Sequence, residues 1–191
     1  MITVATPITA EDLLSLPDDG IERWIKDGEL RAGGMTICNR FHSETLTLIV
    51  VALHSWLRNQ PRPHGKVLCG EAGVRLRRDP ELTVGIDAVY IGPELARQAF
   101  AGTTIVEGVP VLAVEILSPS DKQEEVEEKI DDYLGAGVLQ VWEVNPRRRT
   151  VTVYRPDQEP EFFNVTQELL ADPELPGFRV PVLALFEDVA V

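Results

Sequence analysis

The sequence predicts a single α/β domain in which a mixed central sheet is flanked by helices and extended by antiparallel hairpins. A strand that is apolar on both faces, VPVLAVEIL, is followed by an amphipathic helix and then by a second apolar strand. Such a strand is typical of a sheet that is covered on both sides. The length of 191 residues, with ordinary apolar and charged fractions, fits one domain over residues 1–191.

The elements of the first half begin with a short helix. Thr9 can cap it, with Asp12 in the capping-box position. Two strands follow in IERWIKDGELRAG, around the hairpin signal Asp27–Gly28. A long helix from Asn39 to about Asn59 is predicted by apolar residues at helical spacing, Leu46, Ile49, Leu53 and Leu57.

The second half supplies the predicted centre of the fold. Strands are expected near Lys66–Arg77 and Val84–Ile91, and a short helix begins at Pro93. The helix DKQEEVEEKIDDYLGAG has an apolar side and ends at glycines. VLQVWEV and TVTVYRP alternate like a hairpin, and the tail LPGFRVPVLALFEDV suggests a last short strand and a helical turn. The core is therefore expected to be strand, helix, strand, with antiparallel additions.

The net charge of −13 argues against proteins that hold nucleic acid over a broad basic surface. Two local basic clusters can nevertheless line a groove. The first, which we predict to contact nucleic acid, consists of Arg75, Arg77 and Arg78, and the second is Arg147–Arg149. Both clusters also fit the simpler description of solvated strand ends and turns.

The sequence predicts a cytoplasmic protein without a membrane segment. No apolar run approaches the roughly 20 residues of a membrane span, and the N-terminus lacks the pattern of a signal peptide. The two cysteines, Cys38 and Cys69, form no CxxC motif, so neither a zinc site nor a disulfide framework is indicated. We expect both to be small core residues.

Two carboxylates interrupt strands that are otherwise apolar on both sides: Asp87 in VGIDAVYI and Glu115 in VLAVEIL. A lone ionised carboxylate in an apolar interior costs several kcal/mol unless a cation meets it. Lys129 lies near the edge of the buried stripe of the helix that follows Glu115. If the two strands are neighbours, their carboxylates can share Mg²⁺, which prefers oxygen ligands.

Such a site supports the hydrolysis of a phosphodiester. The metal activates water and stabilises charge on the phosphate, while a lysine orients the water or screens the developing charge. The alternative is structural: Asp87 and Glu115 are strand-end carboxylates held by backbone N–H groups or arginine, and Lys129 extends along the helix rim. Residue spacing leaves both readings open.

Several segments resemble the Uma-two family of the PD-(D/E)XK nuclease superfamily. They are FHSETLTLIVVAL, GIDAVYI, the block from Glu115 to Tyr154, and LPGFRVPVLALFED. The resemblance covers nearly the whole chain and implies a PD-(D/E)XK nuclease-like fold. It also implies that Asp87 and Glu115 bind the metal. In the superfamily, the catalytic lysine usually lies two residues after the glutamate, but this chain has Leu117 at that position. In the Uma-two family the lysine resembles one that has moved to the following helix, which corresponds to Lys129 in this chain. Ile86 replaces the proline of the usual PD dipeptide.

The resemblance adds two accessory residues and leaves one choice open. Glu29 resembles an N-terminal acidic residue that approaches the metal site. His42, on the phase of Leu46 in the long helix, is expected to point inward beside the site. Lys122 competes with Lys129 for the role of the lysine.

The function implied is that of a restriction endonuclease-like enzyme that cleaves DNA with Mg²⁺ or Mn²⁺. A homodimer with one site for each strand suits a two-strand cut. Two alternatives remain at this stage: a catalytically inactive binding or interaction module of the same fold, and a hydrolase of RNA or of a small phosphoester.

Overall fold

Within the described residues, nine strands form one mixed sheet, and helices cover both of its faces. The structure is a computed structural model that describes residues 7–17, 19–35, 39–98, 104–119 and 121–187. The strands of this sheet are β1 Ile21–Lys26, β2 Glu29–Met35, β3 Lys66–Arg78, β4 Glu81–Ile91, β5 Val106–Glu107, β6 Leu112–Ile116, β7 Gln140–Asn145, β8 Thr150–Tyr154 and β9 Glu161–Asn164. A separate pair is formed by β10 Glu168–Leu170 and β11 Arg179–Pro181. The helices are α1 Ala10–Leu14, α2 Arg40–Arg58, α3 Pro93–Gln98, α4 Gln123–Gly135 and a 3₁₀ helix at Val182–Leu185.

The helix starts follow the capping signals of the sequence. The Thr9 hydroxyl accepts a hydrogen bond from the backbone N–H of Asp12 at 3.3 Å, and the Thr9 N–H donates to Asp12 Oδ2 at 2.9 Å. This is the predicted capping box of α1. At the start of α2, Asn39 Oδ1 accepts from the N–H of His42 at 3.1 Å.

The sheet order brings three parts of the chain together around β4. One edge of β4 pairs with β3, and its other pairings are with β1 at Leu82–Thr83 and with β6 at residues 88–90. The β1–β2 hairpin turns at Asp27 and Gly28, whose φ angles of 51° and 77° are the positive values that a two-residue turn requires. Seven strands follow the order β2-β1-β4-β6-β7-β8-β9, and the other two lie off this path, where β3 pairs with both β4 and β5.

Strand β6 is central, as its sequence predicts, because all five of its side chains are buried. It runs parallel to β7, and α4 connects the two. Leu112 and Val114 pack into the apolar cluster that contains α2, whereas Ala113 packs with Ile130 and Tyr133 of α4. Glu115 therefore lies on the α4 face of the sheet.

Some predictions need correction. Strand β4 begins at Glu81 rather than near Val84. The short strands β5, β9 and β10, of two to four residues, were not predicted because such lengths carry no clear periodicity. Cys69 is exposed on β3 and is not a core residue, while Cys38 lies outside the described residues. No helix among the described residues is both long and apolar enough to span a membrane.

Candidate active site

Asp87 and Glu115 come from neighbouring strands, as the sequence predicts. The antiparallel register of β4 and β6 pairs Ala88 with Val114. Extending this register by one residue sets Asp87 opposite Glu115, and directly opposed residues of an antiparallel pair point to the same face. Asp87 is 6% exposed and Glu115 is 8% exposed. Two carboxylates thus share one buried position of the sheet.

Helix α4 supplies two groups that contact Glu115. Lys129 Nζ lies 3.2 Å from Glu115 Oε2, and the hydroxyl of Tyr133 donates to Oε1 at 2.7 Å. Lys129 and Tyr133 are four residues apart, so both lie on the helix face that packs on the sheet. The charge that the sequence required beside Glu115 is therefore the ammonium group of Lys129.

Asp87 is held by one side chain and one backbone group. His42 Nε2 lies 3.1 Å from Asp87 Oδ1, and the backbone N–H of Ile116 donates to Oδ2 at 2.7 Å. The backbone N–H of Ile116 thus holds Asp87 in the way that the structural alternative to a metal site predicts. The hydrogen bond with Asp87 raises the pKa of His42. His42 Nδ1 is buried without a hydrogen-bond partner among the described residues.

Glu71 is a third carboxylate near this position, and sequence reasoning missed it. A bulge interrupts the β3–β4 register between Cys69 and Ala72, opposite Asp87. Gly70 and Glu71 have φ angles of 81° and 53° there, and a positive φ is uncommon for a residue with a side chain. The available signal was Gly70 inside a strand pattern, which indicates a bulge.

The carboxylate of Glu71 is enclosed although the residue as a whole is exposed. A Cβ atom added to Gly85 would lie 2.6 Å from Glu71 Oε2, so the missing side chain of Gly85 leaves room for the carboxylate. Burial and the charges of Asp87 and Glu115 raise the pKa of Glu71 to about 7. The bulge therefore directs an acidic group toward the other two carboxylates.

The electrostatics of the site show an excess of negative charge. Burial raises the pKa of Glu115 to about 7, with a further contribution from Asp87, although Lys129 opposes the shift. Burial disfavours the charge of Lys129, but the carboxylates of Glu115 and Glu22 outweigh burial and raise its pKa. Raised carboxyl pKa values mean that a proton or another cation is favoured at this position.

The donor set fits a hard divalent cation. Asp87 and Glu115 offer carboxylate oxygens, which Mg²⁺ and Mn²⁺ accept as ligands, and Glu71 is close enough to interact electrostatically with both. Within the described part of the chain, no three His, Cys, Asp or Glu side chains already surround one ion position.

Glu29, which the resemblance places near the metal site, and Lys122, the competing lysine, both make other contacts. The side chain of Glu29 is 72% exposed and contacts Arg31 at 3.1 Å. The N-terminal acidic residue that reaches the site is instead Glu22 of β1, whose Oε1 lies 3.7 Å from Lys129 Nζ. Lys122 is exposed at the start of α4 and pairs with Glu125 at 2.6 Å. Of the two candidate lysines, the structure brings Lys129 to Glu115.

The arginines of the first basic cluster pair with carboxylates of the protein, and Arg75 does not fit the predicted contact with nucleic acid, which stays a prediction for Arg77 and Arg78. The Arg75 side chain is 2% exposed and its guanidinium contacts three carboxylates, Glu11 at 2.7 Å, Glu81 at 2.9 Å and Glu107 at 3.0 Å. Arg77 pairs with Asp27 at 2.9 Å, and Arg78 pairs with Glu107. A buried, fully paired guanidinium has no charge available for a phosphate, so Arg75 does not form a nucleic-acid surface.

Comparisons with known proteins support the resemblance seen in the sequence. Residues 10–184 match the profile of the Uma2 (Uma-two) family, described as "Putative restriction endonuclease". The fold is similar to the crystal structure of "a putative nuclease belonging to DUF820" from Anabaena variabilis, with a TM-score of 0.77 and 22% identity over 94% of this chain and 98% of that chain. This likeness confirms the predicted α/β fold. No curated protein matches the chain.

Proposed function

Because the chain belongs to the Uma2 family, described as "Putative restriction endonuclease", we propose that it is a metal-dependent nuclease that hydrolyses phosphodiester bonds of DNA. The observation that carries the proposal is the excess of carboxylate where the buried Asp87 and Glu115 lie near Glu71. Asp87 and Glu115 would hold Mg²⁺ or Mn²⁺. Lys129 supplies the one lysine charge in contact with this group among the described residues.

Each side chain of the site has a chemical role in this proposal. A bound divalent metal lowers the pKa of water and polarises the phosphate. Lys129 stabilises negative charge that grows on the phosphate oxygens. His42 and the N–H of Ile116 orient Asp87, and Tyr133 orients Glu115.

Glu71 is suited to take up the proton of the attacking water. Burial and the charges of Asp87 and Glu115 raise the pKa of Glu71, so its carboxylate is a stronger base than that of an ordinary glutamate. A general base works best when its pKa is near the working pH. We therefore propose Glu71 as the general base of the reaction.

A second candidate is an inactive binding module with the same fold. It is favoured by the net charge of −13 and by the finding that no ion position is preformed among the described residues. The two candidates differ in whether a divalent ion binds the folded protein. Homodimerisation and a cytoplasmic location stay predictions, and light scattering after size-exclusion chromatography measures the first.

Metal binding and cleavage are tested together. We expect millimolar Mn²⁺ to raise the melting temperature of the wild type, because the ion binds only the folded state. Glu115→Gln keeps the shape of the side chain and removes its charge, so it should abolish most of this rise. The wild type should also nick supercoiled plasmid with Mg²⁺ or Mn²⁺, whereas Asp87→Ala should not.

An unchanged melting curve over a broad range of Mn²⁺ would favour the inactive module. If the protein cleaves RNA or a small phosphodiester and leaves the plasmid intact, it is a metal-dependent hydrolase whose substrate is not DNA. Arg148→Gln is the matched control, since Arg148 is exposed and has no contact with the three carboxylates.

A further inference from the structure

A cleft of about 700 Å³ lies between the first turn of α2, the loop after β6 and the turn between β7 and β8. This volume is in the range of small-molecule binding sites. Three arginines, two phenylalanines and one glutamate are among its lining residues. We call it the Arg147 cleft, defined by Arg40, Phe41, Leu117, Arg147, Arg149 and Phe186.

Two residues that line the Arg147 cleft are close in sequence to residues of the candidate active site. Phe41 is next to His42, which contacts Asp87, and Leu117 is two residues after Glu115. The cleft also lies at the carboxyl ends of the parallel strands β6 and β7, where α/β sheets commonly bind ligands. The cleft and Glu115 thus both lie toward the carboxyl end of β6.

The charge of the cleft is opposite to that of the whole protein, whose net charge is −13. Arg149 pairs with Glu187 at 2.6 Å, and Arg40 lies 3.4 Å from Glu44, the glutamate of the lining. Arg147 is exposed and forms no ion pair with any described residue. Its guanidinium is thus available to bind a phosphate with two parallel hydrogen bonds.

An aromatic side chain stands beside these cations. Phe41 is 59% exposed, which is unusual for a large apolar residue at the rim of a charged cleft. The Arg40 guanidinium carbon lies 5.1 Å from the centroid of the Phe41 ring. Proteins that bind single strands stack bases on exposed aromatic rings, often with an arginine nearby, and Phe41 with Arg40 offers both groups.

We propose that the Arg147 cleft binds an unpaired nucleotide of a single-stranded segment, with its base on Phe41 and its phosphate at Arg147. The inference rests on the proposed function, because it takes the bound strand as the substrate whose next phosphate reaches Asp87 and Glu115. In a duplex both faces of an internal base are already stacked, so Phe41 contributes nothing to its binding. The cleft therefore selects single strands, frayed ends or locally opened duplexes.

Binding is measured by fluorescence anisotropy with the full chain carrying Glu115→Gln, in EDTA, so that cleavage does not interfere. The probes are a labelled single-stranded DNA, a single-stranded RNA of the same sequence and the corresponding DNA duplex. Adding Phe41→Ala should weaken single-strand binding about tenfold and leave duplex binding unchanged, since stacking of one base on an aromatic ring contributes about this much to single-strand affinity. Adding Arg147→Gln should weaken it about fivefold and lower the salt slope by about one.

Arg148→Gln is the matched control, because Arg148 lies in the same turn, is exposed and does not line the cleft. Single-strand binding that resists Phe41→Ala would overturn the proposal. An equal loss for duplex and single strand, an effect of Arg148→Gln as large as that of Arg147→Gln, or no single-strand binding at all would overturn it too. Preference for either sugar supports it and identifies the nucleic acid.

The proposed function fails in a different way. If the cleft binds single strands as expected but the wild type cuts no nucleic acid with Mg²⁺ or Mn²⁺, the result contradicts the proposed nuclease activity and supports the proposed binding site. If the wild type cuts duplex DNA and Phe41→Ala changes neither cleavage nor single-strand binding, the result supports the proposed nuclease activity and contradicts the proposed binding site. Circular dichroism and the melting temperature verify that each variant is folded.

Discussion

Strand β3 carries charged residues into two clusters whose charges are balanced differently. In the Arg75 cluster, the buried guanidinium of Arg75 meets the carboxylates of Glu11, Glu81 and Glu107. The hydrogen bond from Arg75 lowers the pKa of Glu11. Four residues earlier, at Glu71, burial and neighbouring carboxylates raise the pKa to about 7. The first cluster favours ionised carboxylates and the second disfavours them.

The difference separates a structural cluster from a candidate functional one. Each described cation of the Arg75 cluster has carboxylate partners, and its outermost partner, Glu11, is 71% exposed to solvent. The cluster of Asp87, Glu115 and Glu71 has carboxylates that are close to one another and little cationic charge to balance them. Perturbed pKa values of this kind cluster at functional sites. We therefore expect substitutions in the first cluster to change stability and those in the second to change chemistry.

The largest effect is expected from Arg75→Met. Removing the guanidinium leaves the buried carboxylate of Glu81 without its cation, so the free energy of unfolding should fall by about 3 kcal/mol. Arg78→Gln is the control, because its side chain is 66% exposed and its loss should cost less than about 1 kcal/mol. Urea denaturation measures both. Equal effects of the two substitutions would contradict the structural role of Arg75.

The next effect concerns Lys129→Met, which keeps the apolar stem and removes the charge. Because the charge acts on the transition state, we expect plasmid cleavage to fall about a hundredfold with little change in Mn²⁺ binding. The fold should persist, since Glu115 can take up a proton when Lys129 is absent. Lys122→Met should retain full activity, because Lys122 is exposed at the start of α4 and pairs with Glu125. Loss of activity only in Lys122→Met would transfer the role to that residue.

A smaller effect is expected on the pH dependence of stability without metal. The pKa of Glu115 in the folded protein, about 7, lies above its ordinary value of 4.5. The folded state then binds the proton more tightly, so this stabilisation is full below pH 4.5 and is lost as the pH rises to about 7. The raised pKa values of Glu71 and His42 act in the same direction.

Urea denaturation in EDTA should therefore show a fall in the free energy of unfolding of at least about 2 kcal/mol between pH 5 and pH 7.5. Glu115→Gln should remove the part of this fall that Glu115 contributes and leave the part due to Glu71 and His42. The Arg75 cluster has the opposite sign, because the lowered pKa of Glu11 gives stability that is lost as the pH decreases below its ordinary range. A rise in stability from pH 5 to pH 7.5 in the wild type would contradict the assignment of Glu115.

The smallest effect is expected from Tyr133→Phe, which removes the hydroxyl that donates to Glu115 at 2.7 Å. The loss of this hydrogen bond should cost about 1 kcal/mol at pH 7.5 and should make the decrease in stability with pH steeper. Tyr154→Phe is the matched control, since Tyr154 donates to Glu143 at 3.0 Å, outside the carboxylate cluster. A pH profile of Tyr133→Phe parallel to that of the wild type would show that the hydroxyl does not support the ionised carboxylate.

Much of the fold and part of the site could be predicted from local patterns. The hairpin at Asp27–Gly28 follows from turn chemistry, and α2 and α4 follow from apolar residues at helical spacing. Asp87 and Glu115 stood out because a charged residue in a two-sided apolar strand has to be compensated. The position of Lys129 near the buried stripe of α4 made it the matching cation.

Other parts of the site depend on contacts between distant segments. The bulge that directs Glu71 toward Asp87 is a one-residue irregularity in the pairing of two strands, and such a shift changes the face on which a side chain lies. Glu22 lies near the site in place of the predicted Glu29 because of strand pairing as well, since β1 and not β2 pairs with β4. Neither outcome is contained in the local sequence pattern.

The amino-acid sequence by itself determined the elements, the central strand and the two carboxylates that require a partner, because these follow from periodicity and the cost of burying charge. Only the tertiary structure decided which charges are neutralised. Arg75 pairs with Glu11, 64 residues away in the chain, whereas Arg147 finds no ionic partner among the described residues. The physical reason is that Coulomb interactions depend on distance in space and on burial, and the chain fixes both only after it has folded.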